Sequence, residues 1–205
     1  MGISALATGQ AEDSSRVYRG LRVQYDIGRN LLSAMEKGRT DYEIMVDFGL
    51  SPKYYLVAEA GKTALSRQAD NYSYQLSGIY FRVGYDKSLN TIGKDLICIG
   101  LRYGASFFDH SASNIILETD SIWGNSIPAK DLAPTSNQLH WLEAVVSLKV
   151  EIFKKFYLGW SLRGRLSVYG RKNFSLEPYR VPGFGSGSRK ASAGFNYYIG
   201  YRLPF

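Results

Sequence analysis

Cysteine and histidine are almost missing from this chain, which has one cysteine and two histidines among 205 residues. A single cysteine excludes an intrachain disulfide, and three such ligands in all exclude a cysteine or histidine metal centre. Cys98, inside LICIGLRYG, reads as a small strand residue. Proline is scarce at 6. No run of ~18 apolar residues occurs, which excludes a transmembrane helix but leaves a transmembrane barrel open. Acidic side chains are the minority, 18 against 25 Lys and Arg, for a formal charge of +7. That excess would suit nucleic acid if it were concentrated on one face, so its distribution has to decide.

Tyrosine and glycine are plentiful, at 16 and 21. With few prolines, this favours a single all-β domain. The start, MGISALATGQA followed by EDSS, resembles the tail of a secretory signal with cleavage near Ala11, although it lacks a basic leading region. Residues 1–15 are therefore set apart as a lead, and residues 16–205 carry the fold.

A period of two, the signature of a strand with two different faces, recurs along the remaining chain. It marks strands over 20–27, 42–50, 54–62, 78–86, 96–107, 141–153, 157–168 and 194–205. In GIYFRVGYD, Ile79, Phe81, Val83 and Tyr85 oppose Tyr80, Arg82, Gly84 and Asp86. In the last copy, Phe195, Tyr197, Ile199, Tyr201, Leu203 and Phe205 share one parity. The third copy, 54–62, is the weakest. Connections alternate in length: 28–38 long, 51–53 short, 63–74 long, 87–94 shorter, 108–139 longest, 154–155 a turn, 170–190 long. Eight amphipathic strands joined in this way predict an antiparallel up-and-down outer-membrane barrel, with both termini periplasmic and the longer loops outside.

A soluble lipocalin-type barrel has the same alternation with its apolar face inward. The polar face separates the two. It holds seven acids (Asp26, Glu43, Asp47, Glu59, Asp86, Glu143, Glu151) and seven bases (Arg22, Arg82, Arg102, Lys149, Arg163, Arg165, Arg202). An eight-stranded barrel is only wide enough inside for side chains, and dehydrated charges there must be paired. The balance fits a charge-paired, plugged interior, and glycines on the same face, such as Gly84, Gly100 and Gly194, leave room for long arginines. Aromatics on the apolar face, among them Tyr25, Tyr42, Tyr85, Tyr103, Trp160 and Tyr197, suit an interfacial girdle. The excess charge then falls to loops, notably Arg171, Lys172, Arg180, Arg189 and Lys190. Nucleic acid drops out as a partner, and membrane lipid takes its place.

Chemistry is thin. Asp109-His110-Ser111 has the residue types of a hydrolase site, but consecutive side chains diverge in an extended segment. His140, with Glu143 nearby, is the other candidate base. GFGSGSRK (183–190) fails the spacing of a phosphate loop and precedes a strand, so it reads as a flexible surface loop. Asp120-Ser121-Ile122 has the form of an O-glycosylation site at Ser121. No cofactor, metal or small-molecule substrate is expected, and the chain reads as a non-enzyme.

Several blocks together, including DYEIMVDFGLSPKYYLVAEAGK, HWLEAVVSLKVEIFKKFYLGWSLRGR and VPGFGSGSRKASAGFNYYIGYRLPF, resemble domain-of-unknown-function family 6048. This is a family of small outer-membrane β-barrels of Bacteroidota. The likeness spans about residues 18–205. It implies an accessory subunit of the Bacteroidota β-barrel assembly machinery and therefore protein partners in an outer-membrane complex. A free-standing adhesin-like or membrane-stabilising barrel is the alternative, and a lipid-modifying enzyme using His110 or His140 a third. Tyr201, Leu203 and Phe205 also resemble a C-terminal signal for outer-membrane assembly.

Overall fold

The computed structural model describes residues 20–69, 72–90, 95–113, 116–118, 126–128, 132–170 and 177–203. In chain order the elements are β1 (Leu21–Asp26), α1 (Ile27–Met35), β2 (Arg39–Gly49), β3 (Tyr54–Ala69), β4 (Tyr72–Ser88) and β5 (Leu96–Ser113). Two short strands follow, β6 (Ile116–Glu118) and β7 (Ser126–Pro128), then β8 (Leu132–Phe153) and β9 (Phe156–Tyr169). A second small hairpin, β10 (Arg180–Val181) with β11 (Gly185–Ser186), precedes β12 (Ala191–Leu203). The eight longer strands form a closed antiparallel barrel in the order β1-β12-β9-β8-β5-β4-β3-β2. Closure comes from β1 against β12, in register from Leu21↔Leu203 to Asp26↔Tyr198. The β2-β3, β4-β5 and β8-β9 connections and both described chain ends lie at one end of the barrel, here the terminal end, and α1, the close β3-β4 connection and the β10-β11 hairpin lie at the other.

Alternation sets the two surfaces. Along β4, Phe81, Val83 and Tyr85 are half exposed on the outer wall, Val83 at 55%, while Arg82 between them is 0% exposed. The apolar belt continues through Ile44 and Phe48, Ile99 and Leu101, and Leu158 and Leu162, so it runs round the whole barrel. The weak third pattern has a simple cause. Tyr55 and Val57 take inward positions among the polar ones, so β3 carries large apolar groups on both faces.

Three connections differ from the sequence reading. The segment 63–74 is not a loop, since β3 runs to Ala69 and β4 starts at Tyr72. Strands β5 and β8 likewise extend to Ser113 and back to Leu132, well into 108–139. In these extensions the outward side chains turn polar, as in Ser66, Gln75, Asp109 and Gln138, while Leu65, Leu76, Phe108 and Leu139 stay inward and buried. The alternation that marks a strand fades where the outer wall rises above its apolar belt, although pairing continues. Finally, Ile27 opens helix α1 instead of extending β1. Asp26 caps the helix, its carboxylate accepting the Arg29 amide at 3.1 Å.

Candidate functional site

At mid-height the lumen is one connected ionic network. Arg22 donates to Asp47 at 2.6 Å, and Lys149 reaches the same carboxylate at 2.8 Å and Asp86 at 3.5 Å. Arg102 binds Asp86 at 2.6 Å and Glu59 at 3.3 Å. Glu59 also receives Arg163 at 2.7 Å and Arg82 at 2.6 Å. Arg82 spans to Glu43 at 2.6 Å, and Arg163 and Arg165 meet Glu143 at 2.8 and 3.0 Å. Asn196 donates to Asp26. Twelve of the fourteen charged residues singled out from the sequence lie buried here. The other two, Glu151 and Arg202, sit half-buried at the terminal rim on either side of Tyr157.

Sequence parity missed one member. Arg29 enters from α1 and binds Glu43 at 2.9 Å and Asp26 at 3.3 Å. Among the described residues this network therefore joins seven cations (Arg22, Arg29, Arg82, Arg102, Lys149, Arg163, Arg165) and six carboxylates (Asp26, Glu43, Asp47, Glu59, Asp86, Glu143), while the buried Asp41 pairs separately with Arg39. Near-neutrality is what desolvation demands of charges at these depths. Inward glycines make the space. A Cβ on Gly194 would sit 2.6 Å from the Arg165 guanidinium, but on Gly104 it would strike the Trp141 ring at 2.2 Å, and on Gly61 the Tyr80 ring at 2.3 Å. The glycine gaps serve aromatics as much as arginines.

Above the ions lies an apolar core of Leu65, Leu76, Tyr80, Phe108, Leu139 and Trp141, closed by Val181 and Phe184 from the last long connection. GFGSGSRK is thus not simply a flexible surface loop, because its Gly183 and Phe184 are buried, as is Val181 just before it. Gly183, at φ +73°, turns the chain directly over the Tyr80 ring, where a Cβ would lie 2.5 Å away. Phe184 packs edge-on to Trp141 at 5.8 Å, and its carbonyl accepts Arg165 at 3.1 Å. The available signal was two isolated large apolar residues, Val181 and Phe184, in a Gly- and Ser-rich stretch. Arg180 is half-buried beside them, and Arg189 and Lys190 are exposed. Arg171, Lys172, Ser121, Phe205 and the lead 1–15 lie outside the described residues.

The hydrolase candidates do not converge. Asp109 faces outward and accepts Ser136, whereas His110 points inward, buried, with Nδ1 3.2 Å from Asn137 and its ring stacked on Phe108. His140 stands on the outer wall with Nδ1 2.8 Å from the Tyr103 hydroxyl, while Glu143 is inside, bound to Arg163, Arg165 and Trp141. Cys98 is buried against Tyr55 and Leu96. Among the described residues no cluster of His, Cys, Asp or Glu could hold a metal. Tyr201 packs on Phe156 at 4.9 Å on the outer wall, and Leu203 pairs with Leu21.

A closed barrel with an apolar wall, an ionic lumen and an apolar plug agrees with the family suggested by the sequence blocks, and the family model matches residues 4–205. The chain belongs to DUF6048, a domain of unknown function. Comparison with curated proteins returns no match. Among solved structures, the DUF6048 barrel is similar to Ail, the attachment invasion locus protein of Yersinia pestis. That match has 10% identity and a TM-score of 0.47, covering 90% of this chain and 94% of that one. CarO2 of Acinetobacter baumannii matches at 10% identity and TM-score 0.44, covering 90% and 97%. The N-terminal β-barrel domain of Pseudomonas aeruginosa OprF matches at 13% and 0.33, covering 90% and 98%. Likeness at this level carries no argument about activity.

Proposed function

We propose that this DUF6048 chain is a non-enzymatic, non-conducting barrel of the outer membrane that works through its surfaces as an accessory subunit of an outer-membrane complex. The observation that supports this most is the contrast between wall and lumen. A continuous apolar belt faces outward, and charged side chains fill an interior only wide enough to hold them. In water such a belt would be a large exposed apolar patch, whereas in a bilayer it is solvated. With the lumen occupied by paired ions and its mouth plugged, loops and outer wall are what remain for function. The resemblance to Bacteroidota barrels points to the β-barrel assembly machinery as the complex. Both termini are then periplasmic, the long connections extracellular, and the terminal Tyr201, Leu203 and Phe205 serve as an assembly signal. Deleting Phe205 should lower the membrane level of the protein more than it alters the folded barrel, and normal levels would contradict this.

Affinity purification of the tagged barrel from native membranes in mild detergent tests the subunit reading. Stoichiometric partners are expected, and recovery of the barrel alone would sink it. The tall β3-β4-β5-β8 wall favours a second reading, a free-standing adhesin-like barrel, since its polar outer side rises above the belt. Lipid A chemistry is the third. An unchanged lipid A mass profile in a strain lacking the protein would remove it.

A further inference from the structure

The barrel wall is not strand throughout. β1 pairs with β2 only from Leu21↔Phe48 to Tyr25↔Ile44, and with β12 only up to Asp26↔Tyr198. Beyond that height, residues 39–43 of β2 and 191–197 of β12 pair with a strand on one side alone. Helix α1 stands in the gap. A helix about 10 Å across fills the space of two inter-strand spacings of about 4.8 Å, so it can replace a strand in the wall. The first turn lies against β12, where a Cβ on Gly28 would come within 3.3 Å of the Tyr197 amide nitrogen. Inward, Arg29 holds the helix to Glu43. Outward, the helix buries nothing: Leu31, Leu32 and Met35 are 66%, 50% and 77% exposed. They are continuous with the outer belt through Tyr42 and Ile44 on one side and Phe195 on the other, all exposed.

Directly above this apolar strip, charge becomes basic. Lys37 and Arg67 line an open groove at the end of α1, and Arg180 and Arg189 line a second one beside the one-sided edge of β12. The two grooves adjoin, because Arg67 lies over the Tyr179 ring at 5.4 Å and Arg180 is 3.8 Å from Glu36. Among the described residues the carboxylates at this rim are Glu36, Asp41 and Glu177, and Arg39 takes up the first two. Burial and the facing Arg39 guanidinium hold Arg180 below its ordinary value, even with Asp41 and Glu36 nearby.

We infer that the α1 seam is the binding site for one phosphate-bearing membrane lipid, its acyl chains along Leu31, Leu32 and Met35 and its phosphate among Lys37, Arg67, Arg180 and Arg189. This inference rests on the membrane reading above. It goes beyond general lipid contact because, among the described residues, α1 is the one helix in the wall and its apolar face is aligned with these cations.

The test is native mass spectrometry of the full chain in detergent, offered equimolar diphosphoryl lipid A and dephosphorylated lipid A. One retained diphosphoryl molecule per chain is expected. The triple variant Lys37→Ala, Arg67→Ala, Arg189→Ala should lose that preference by about tenfold or more, since three of the four cations around the phosphate are removed. Lys53→Ala with Lys154→Ala, at the terminal end, should leave it unchanged. Leu31→Ser with Leu32→Ser should weaken both lipids. Equal retention of the two lipids, loss in the terminal-end variant, displacement by excess inorganic phosphate, or a protein found at the seam in place of lipid would each overturn the inference. A chain that keeps a heat-modifiable barrel band while showing no preference sinks the lipid site alone. A chain soluble without detergent sinks the membrane reading itself.

Discussion

At the scale of single residues, Arg82 shows what the lumen demands. It is fully buried between Glu43 and Glu59, each at 2.6 Å, with Glu143 at 3.5 Å. Removing it takes one buried ion-pair partner from each of Glu43 and Glu59 and leaves a gap in the network. Arg82→Ala should therefore cost about 3–5 kcal/mol in urea unfolding followed in detergent micelles, and a shift within error would contradict this. Gly104 makes a steric version of the same point. Gly104→Val must displace the Trp141 ring, and the folded, heat-modifiable form should be recovered in much lower yield. Residues of this kind were half legible. Strand parity put Arg82, Glu59 and Arg163 on the inner face without showing which carboxylate each would meet. Arg29 lay outside any strand, so no parity argument could reach it.

At the scale of elements, the plug and α1 are the parts the sequence concealed, and for different reasons. The plug has no period to detect. Val181 and Phe184 are two apolar residues in a turn, and only Trp141 and Tyr80, distant in sequence, give them a place to bury. Phe184→Ala should open this connection locally, with faster hydrogen exchange across 181–186 and unchanged protection in β4 and β8; slower or equal exchange would contradict it. Helix α1 did carry a signal, Ile27, Leu31 and Met35 at spacings of four behind a capping Asp26, but Ile27 also completes the alternation of β1. The ambiguity is real because Asp26 serves both elements: it is the last inward residue of the strand and the helix cap. Asp26→Ala should destabilise α1 by about 1 kcal/mol from the cap alone, read as increased exchange over 27–35.

For the molecule as a whole, the fold follows from one repeated choice: side chains alternate, strands close, and no edge remains at the height where β1 meets β12. Eight copies of the alternation were enough to read the barrel, its antiparallel order and its two faces from the chain. Function was less legible, since among the described residues the hydrolase candidates Asp109, His110 and His140 do not converge and no metal cluster forms. The central claim is that the apolar wall faces hydrocarbon and the ionic lumen does not. Methyl NMR of the barrel in nanodiscs containing lipids with a paramagnetic group on the acyl chain tests this directly. The outer methyls of Ile44, Val83, Leu101 and Leu162 should broaden, while those of the buried Val57, Val145 and Val181 stay sharp. Broadening of the inner set, or an outer set relaxed only by a water-soluble agent, would contradict the account.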